Sequence, residues 1–422
     1  MQNTTDFSGR KLAVLCGTSV IADISRCAKE MGLHLITVRK RRDVPIHRYS
    51  DEQWYADSFD DSEVLPLLQK HHVDAILACS GEKMQRRCID WICGSEYRFY
   101  ATKAQWDILM HKHRFKQYAA KFGIPPIPEY RIDRAACCAA EPVRFPVVVK
   151  PADNSGSSGI TVCTEQAQLA GAIAFAAENS CSGDVLCEAC LNGSYFQFEI
   201  WLQNGKAYFP YTKERLFYPR VGSCPPQPFL DLYPSSYASL LSEKLFEPIR
   251  QMMLSLGIRD GSCMFQGMIQ DGIPYIMDTA FWLSSGMDFL IVKEETGADQ
   301  IRAYILQALN GEFGGDFSVL EKPFRHVYAT LCIGLKNGTI TEVSGLDEIR
   351  QKPYVYECMQ HYEKGYVIRN SGRFSQTAFR IFLKAAHREQ LGACIREVLE
   401  LLEVRDENGC SMLLDFPALS IF

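Results

Sequence analysis

A lysine at the end of an apolar strand, followed by a loop of glycines and serines, is the feature best suited to bind phosphate. The predicted strand Phe145–Lys150 ends in this lysine, and the loop consists of Asn154, Ser155, Gly156, Ser157, Ser158 and Gly159. A strand end holds an ammonium group in place, and glycines allow backbone N–H groups to turn toward one point. A Gly/Ser hairpin turn is the competing structural interpretation. A Walker P-loop is excluded, because its lysine follows the glycines and precedes a helix.

Other candidate residues lie before and after this loop. Alternation along Tyr195–Leu202 places Gln197 and Glu199 on one face of a strand. The dipeptide Asp271-Gly272 predicts a hairpin turn between two strands. The remaining candidates are Lys112 in a basic helix, Glu188 at the end of an apolar strand, and Gln266 and Asp278 on the two segments that this turn joins.

The first hundred residues alternate apolar strands with amphipathic helices. Strands are predicted at Lys11–Gly17, Leu33–Val38 and Val73–Cys79, and a helix at Ile21–Met31. This order predicts right-handed βαβ units and a parallel sheet. Ligands of such sheets bind at the carboxyl ends of the strands, here near 17–19 and 80–82. A dinucleotide site is disfavoured, because no GxGxxG pattern follows the first strand.

Composition excludes several classes of protein. The chain has 422 residues, 47% hydrophobic and 23% charged, and a net charge of −5, which argues against disorder and against general nucleic-acid binding. No apolar run is long enough to span a membrane, and the N-terminus lacks a secretory signal, so we expect a cytoplasmic protein. The 17 cysteines are odd in number and scattered, which favours free thiols over a disulfide framework. The CxxC pair Cys187 and Cys190 has no second pair to complete a zinc site.

The order of these segments resembles the ATP-grasp superfamily, specifically its carboxylate–amine ligase branch. Helix residues 111–116 followed by Phe122-Gly123-Ile124-Pro125 are similar to the family's helix and GIP pattern, with His111 where an aspartate is usual. The resemblance implies an α/β fold with an α+β grasp. It has an N-terminal parallel α/β pre-ATP-grasp domain at 1–105, a two-subdomain ATP-grasp domain at 106–320 with a flap at about 145–205, and a C-terminal α/β extension at 321–422.

The resemblance also implies roles for single residues. Lys112 and Lys150 would contact the phosphates of ATP, with Lys150 acting in catalysis, and the Asn154–Gly159 loop would close over them. The hinge that binds adenine would be Glu188, Ala189, Cys190 and Leu191, and Gln197 and Glu199 would line the ribose side. Arg215, the second predicted catalytic residue, lies where family members place a loop that faces the substrate, and its guanidinium group would bind a carboxylate.

The implied metal site departs from the family pattern. The family carries two metal-binding carboxylates, and the second begins a Glu-x-Asn-Pro-Arg motif. Here Gln266 stands at the first position and Asp278 at the second, while Ala280 and Trp282 replace the asparagine and arginine. A glutamine offers only a neutral oxygen to Mg²⁺ or Mn²⁺, and Trp282 cannot neutralise phosphate. Trp282 either lines the substrate site or fills core space.

Two functions remain open from sequence. The first is an ATP-dependent carboxylate–amine or carboxylate–thiol ligase, which acts through an acyl phosphate and gives ADP and phosphate. The second is a degenerate, non-catalytic ATP-grasp module that binds a nucleotide or a small metabolite. Neither would bind nucleic acid or a membrane, and a homodimer is the default expectation. His326 and His361 are candidate acid–base groups, although lone histidines are more often structural.

Overall fold

The N-terminal part of the chain forms the expected parallel sheet. The computed structural model describes residues 7–15, 20–39, 49–78, 82–133, 136–154, 156, 158–219, 226–283, 286–369 and 377–416, without the side chains of 83 and 84. The first elements are β1 (Lys11–Leu15), α1 (Ile21–Glu30), β2 (His34–Arg39), β3 (Glu52–Tyr55), α2 (Asp61–Lys70), β4 (Ala75–Ala78) and α3 (Glu82–Ile92). The described strands pair in parallel in the order β3-β2-β1-β4. Strands β1, β2 and β4 are buried along nearly their whole length, as parallel strands covered on both faces usually are.

Two helices and a small antiparallel sheet follow. Their elements are α4 (Lys103–Met110), α5 (Lys112–Ala120), β5 (Glu129–Tyr130), β6 (Ile132–Asp133), β7 (Cys138–Ala139), β8 (Val147–Pro151), β9 (Thr161–Cys163), α6 (Leu169–Asn179) and β10 (Val185–Ala189). Helices α4 and α5 are separated at His111, whose backbone is extended, so Lys112 is the first residue of the basic helix α5. Strands β5, β10, β8 and β9 form a sheet in that order, called the lid sheet below. Val147, Val149 and Cys187 pack in the apolar core of the lid sheet, which α6 also lines.

A large antiparallel sheet carries most of the remaining chain. Its region comprises β11 (Ser194–Gln203), β12 (Lys206–Tyr208), β13 (Thr212–Phe217), β14 (Pro228–Tyr233), α7 (Ala238–Leu241), α8 (Glu247–Ser255), β15 (Gly261–Gln270), β16 (Ile273–Ala280), α9 (Asp288–Thr296) and α10 (Gln300–Asn310). Side chains on one face of β11 and β15, among them Phe196, Phe198 and Phe265, are fully buried in the main core. The opposite face carries polar residues that lie in register across neighbouring strands, with Gln197 opposite both Lys213 and Gln266.

A bulge in the large sheet lies beside the pair Gln266 and Asp278. Gln266 lies opposite Asp278, and the register between β15 and β16 shifts immediately after it, at Gly267. A Cβ atom at Gly267 would stand 1.9 Å from the carbonyl oxygen of Tyr275, so only glycine permits this close approach.

The C-terminal strands continue the large sheet. The last elements are β17 (Val327–Gly334), β18 (Gly338–Thr339), β19 (Glu342–Ser344), α11 (Leu346–Gln351), β20 (Val355–Gln360), β21 (Val367–Ile368), β22 (Thr377–Ala385), α12 (Arg388–Leu401) and β23 (Glu403–Arg405). Within the described chain the sheet has the order β16-β15-β11-β13-β14-β17-β22-β20, with β12 paired to β11. A second apolar core involves these strands and α12. Among the described residues, no helix is both long and apolar enough to cross a membrane.

Candidate functional site

Lys150 and Glu188 project from the same face of the lid sheet. Lys150 on β8 lies opposite Leu186 on β10, and Glu188 lies two residues further along β10, so both side chains point away from the apolar core. The Lys150 ammonium lies 2.6 Å from a Glu188 carboxylate oxygen and donates to the Met277 carbonyl oxygen at 3.2 Å. Lys150 therefore joins the lid sheet to strand β16, one residue before Asp278.

A second lysine, Lys116 on α5, shares Glu188. Its Nζ lies 2.7 Å from the other Glu188 oxygen and 2.8 Å from a Glu129 oxygen. Burial alone would raise the pKa of Glu188, but the charges of Lys150 and Lys116 outweigh it and lower that pKa. Glu188 is therefore a buried, ionised carboxylate held between two ammonium groups.

Lys112, the first residue of α5, lies beside strand β16 of the large sheet. Its ammonium donates to the Asn154 carbonyl oxygen at 2.7 Å and lies 3.1 Å from an Asp278 carboxylate oxygen. Its backbone N–H donates to Ala152 at 2.8 Å, which fixes the start of α5 against the strand that carries Lys150. Burial opposes the charge of Lys112, but Asp278 and Glu82 raise the pKa of this lysine. The structure thus brings Lys112, Lys150 and Asp278 together.

The side-chain amide of Gln266 has a defined orientation. Its nitrogen faces Asp278 at 3.3 Å, and its oxygen accepts from the Tyr195 hydroxyl at 2.6 Å. A carboxylate accepts hydrogen bonds, and it is the amide NH₂ of Gln266 that faces the Asp278 carboxylate. The carbonyl oxygen that a metal ion would need therefore points toward Tyr195.

These residues do not fit the two-carboxylate metal site that the resemblance implies. Asp278 is the one carboxylate of the pair, and the Lys112 ammonium already contacts it. Among the residues that the structure describes, no group of three or more His, Cys, Asp or Glu side chains is arranged to hold a metal ion. Metal binding by Gln266 and Asp278 stays a prediction.

Arg215 is held by a buried carboxylate. Its Nε and Nη2 lie 2.5 and 2.7 Å from the two oxygens of Asp231, and its Nη1 lies 3.4 Å from the Tyr195 hydroxyl. Lys213, which is fully buried, lies 3.0 Å from Asp231 and 2.7 Å from Asp288. A substrate carboxylate would therefore compete with Asp231 for the guanidinium group, and the predicted catalytic role of Arg215 stays a prediction.

Gln197 and Glu199 lie on one strand face, as predicted, and both have partners within the large-sheet region. Gln197 donates to Asp288 at 3.0 Å and to Tyr211 at 3.1 Å. Glu199 accepts from Trp201 at 2.6 Å and from Gln300 at 2.8 Å, and is 1% exposed. Burial, with the charge of Asp288, raises the pKa of Glu199 to about 7. These contacts explain the polarity of both residues without a ribose, so their role toward ATP is untested.

The predicted flap and hinge lie next to Lys112 and Lys150. Gly156 and Gly159 have positive φ values of 66° and 77°, which L side chains rarely adopt. The Asn154 amide donates to Asn179 at 2.7 Å, and Ser158 also bonds Asn179. Ser155 and Ser157 lie outside the described residues.

In the hinge, the backbone N–H groups of Ala189 and Cys190 donate to Pro128 and Pro146. Leu191 follows in the connection from the lid sheet to the large sheet. Cys187 and Cys190 are free thiols.

Trp282 lies in the main core. It is 8% exposed, and its ring centroid is 6.4 Å from that of Trp106. Arg86 stacks on the other tryptophan, 4.8 Å from the Trp106 centroid. This packing favours the core-filling interpretation of Trp282 over a substrate wall.

Sequence reasoning overlooked Lys116 and Tyr195 and gave Glu82 no role. Lys116 follows Lys112 by one helical turn, which was an available signal, whereas nothing local identifies Tyr195 as the partner of Gln266. Glu82 begins α3 at the carboxyl end of β4, where ligands were expected, and burial raises its pKa to about 7. The charges of Lys112 and Asp278 act on it, which places Glu82 near the site.

The two candidate histidines belong to the C-terminal region. His326 lies 2.8 Å from Glu295, which is also bonded to Tyr328. Burial, with the charge of Arg380, lowers the pKa of His361 to about 4. Such a histidine is neutral at pH 7, and an acid–base role for either residue stays a prediction.

Several known proteins resemble this chain in sequence or in fold. Residues 111–197 match the family model of the carbamoyl-phosphate synthase L chain ATP-binding domain, and this segment contains Lys112, Lys150 and Glu188. An uncharacterized protein from Sinorhizobium fredii is 22% identical over 298 residues, covering 68% of this chain and 59% of the relative. Dapdiamide A synthase from Enterobacter agglomerans is 25% identical over 166 residues, 37% of this chain and 38% of that protein. The chain thus aligns with less than two thirds of each of these relatives.

A solved structure covers nearly the whole chain. The L-amino acid ligase from Bacillus licheniformis superposes with a TM-score of 0.79 at 17% identity, over 95% of this chain and 100% of the ligase. The expected combination of an N-terminal parallel sheet and an antiparallel grasp is therefore confirmed. The chain has the ATP-grasp fold.

Proposed function

We propose that the protein is an ATP-dependent carboxylate–amine ligase that acts on small-molecule substrates through an acyl phosphate. The observation that supports this most is the convergence of three elements. Lys112 from α5 contacts Asp278, and Lys150 from the lid sheet contacts the preceding residue, Met277. Two ammonium groups beside one strand end provide the positive charge that ATP phosphates require.

The proposed reaction has two steps. A carboxylate oxygen of the first substrate attacks the γ-phosphorus of ATP, the bond between that phosphorus and the β–γ bridging oxygen breaks, and ADP leaves. The nitrogen of the amine then attacks the acyl carbon, the bond from carbon to the phosphate oxygen breaks, and phosphate leaves as the nitrogen loses a proton. A thiol in place of the amine would give a thioester by the same sequence.

The chain's own residues would position and neutralise the phosphates. Phosphoryl transfer depends chiefly on position and charge, and two buried lysines supply both without bulk water. The glycines of the Asn154–Gly159 loop would allow backbone N–H groups to approach the phosphates. We expect Mg²⁺ to bind together with the nucleotide phosphates.

Amino acids are the substrates to test first. The matched structure is an L-amino acid ligase, and one relative is named as a dapdiamide synthase. A cytoplasmic location and a homodimer remain expectations, which fractionation and size-exclusion chromatography would test.

The second candidate is a non-catalytic module that binds a nucleotide. Specific observations favour it: Ala280 and Trp282 replace two polar family residues, and the oxygen of the Gln266 amide faces Tyr195. Such a protein would bind ATP and release no ADP.

An ADP-release assay separates the two candidates. Purified protein is incubated with ATP, Mg²⁺ or Mn²⁺ and pairs of amino acids, while thermal unfolding with ATP reports binding. ADP release that depends on an amino-acid pair supports the ligase. Thermal stabilisation by ATP without turnover for any pair, including thiol acceptors, refutes it and supports the binding module. Unchanged ATP affinity in Lys150→Ala would contradict the site assignment itself.

A further inference from the structure

A buried group of charges lies beneath the proposed phosphate site. Glu188 is 3% exposed, and its two oxygens lie 2.6 Å from Lys150 and 2.7 Å from Lys116. The two lysines are themselves 5% and 8% exposed. A carboxylate in this position has little water to solvate it, so its stability depends on the two cations.

The two lysines are held differently. Lys150 also donates to the Met277 carbonyl oxygen on the large sheet, toward the side where Asp278 and Lys112 lie. Lys116 faces the other way, because its second partner is Glu129 on β5, at the edge of the lid sheet. Of these two lysines, only Lys150 lies toward Asp278 and Lys112, where we expect the phosphates of a nucleotide to bind.

Nucleotide binding would remove one of the two cations that neutralise Glu188. A phosphate that recruits Lys150 draws the ammonium away from Glu188, which would leave a buried carboxylate unneutralised and close to the incoming negative charge. Leaving one member of a buried ion pair without its partner is strongly unfavourable. Lys116 would prevent this, because its contact with Glu188 does not involve Lys150.

We propose that Lys116 is a positioning residue that neutralises Glu188 and thereby frees Lys150 to bind a nucleotide phosphate. This inference rests on the proposed ATP site and assigns Lys116 no contact with ATP. The ligand class is a nucleoside di- or triphosphate, because a nucleotide without a phosphate near Lys150 would gain little from the arrangement.

The test is a comparison of nucleotide affinities in Lys116→Met, which keeps most of the aliphatic side chain and removes the charge. By calorimetry, we expect the affinity for ATP to fall by about tenfold or more. Loss of a neighbouring opposite charge typically changes the equilibrium constant of a charged group by about tenfold or more. The affinity for AMP should change by less than about twofold. Lys121→Met, at an exposed lysine ending the same helix, is the matched control and should leave both affinities unchanged.

The same substitution in a Glu188→Gln variant shows whether Lys116 affects ATP affinity through Glu188. In Glu188→Gln there is no buried charge to neutralise, so adding Lys116→Met should change ATP affinity by less than about twofold. The same large loss in both backgrounds would show that Lys116 acts on the phosphates directly and would overturn the inference. Lys116→Arg should retain ATP affinity, and thermal unfolding of each variant shows whether it is folded.

The two proposals fail in different ways. Failure of the wild-type protein to bind ATP would refute the proposed function. Binding of ATP by wild type, with equal affinity in folded Lys116→Met, would refute the role of Lys116 and leave the proposed function standing.

Discussion

Replacing Gln266 with glutamate would restore the carboxylate that the family pattern has at this position. In Gln266→Glu the new oxygen would stand where the amide nitrogen now faces Asp278 at 3.3 Å. Two unit charges at that distance repel by about 1 kcal/mol in water and by about 5 kcal/mol at an effective dielectric constant of about 20. Lys112, 3.1 Å from the other Asp278 oxygen, offsets part of this repulsion.

We therefore expect the metal-free variant to be less stable than wild type by about 1–3 kcal/mol at pH 7. A divalent cation between the two carboxylates would reverse the sign of the interaction, so Mn²⁺ should raise the unfolding temperature of the variant more than that of wild type. The assay is thermal unfolding with and without Mn²⁺, together with Mn²⁺ binding followed by electron paramagnetic resonance. Gln117→Glu, the same chemical change at an exposed position of α5, is the control.

Two results would refute this reasoning. Wild type that binds Mn²⁺ as tightly as Gln266→Glu would show that the amide oxygen does reach the metal. A variant that is as stable as wild type without metal, and unaffected by Mn²⁺, would show that positions 266 and 278 do not face a common ion.

Two further predictions concern buried charges. Asp231→Asn removes the anion that Lys213 and Arg215 share, and leaving those cations unneutralised should lower the unfolding free energy in urea by about 3–5 kcal/mol; a loss below about 1 kcal/mol would contradict the buried ion-pair description. Glu199 has a pKa raised from 4.5 to about 7, so between those pH values the folded protein holds a proton that the unfolded chain has lost. Its contribution to stability therefore falls as pH rises through this window, so Glu199→Gln should make the slope of the unfolding free energy against pH more positive than in wild type between pH 5 and 7; equal slopes in the two proteins would refute the raised pKa.

The sequence predicted the parts of the fold that local patterns determine. The parallel N-terminal strands are continuous apolar runs, and the alternation in β11 placed Gln197 and Glu199 on one face. Strands β13 and β14 were not predicted, because Lys213 and Arg215 give β13 the appearance of a solvated segment. Their burial depends on Asp231 and Asp288, which only the folded sheet brings near.

From sequence, the candidate site could be predicted only as the order of certain residue types along the chain, and the contacts between them could not. Lys112, Lys150 and Asp278 were identified from sequence, and the structure brings them together. The pairing of Lys116 with Glu188 spans 72 residues, and that of Tyr195 with Gln266 spans 71, so no local pattern reveals either one. The orientation of the Gln266 amide, which decides what it can bind, follows from the distant Tyr195 and from Asp278 on the neighbouring strand.

The continuation of the large sheet through β14 and β17 bears on how the chain can be divided. Leu230 to Tyr233 pair with Tyr328 to Leu331, so ending the chain at the predicted boundary of residue 320 would remove every backbone partner on that side of β14. An apolar strand with an open hydrogen-bonding edge is a template for pairing with other chains. A shortened protein of this kind would therefore tend to aggregate, and the nucleotide site is best studied in the full chain.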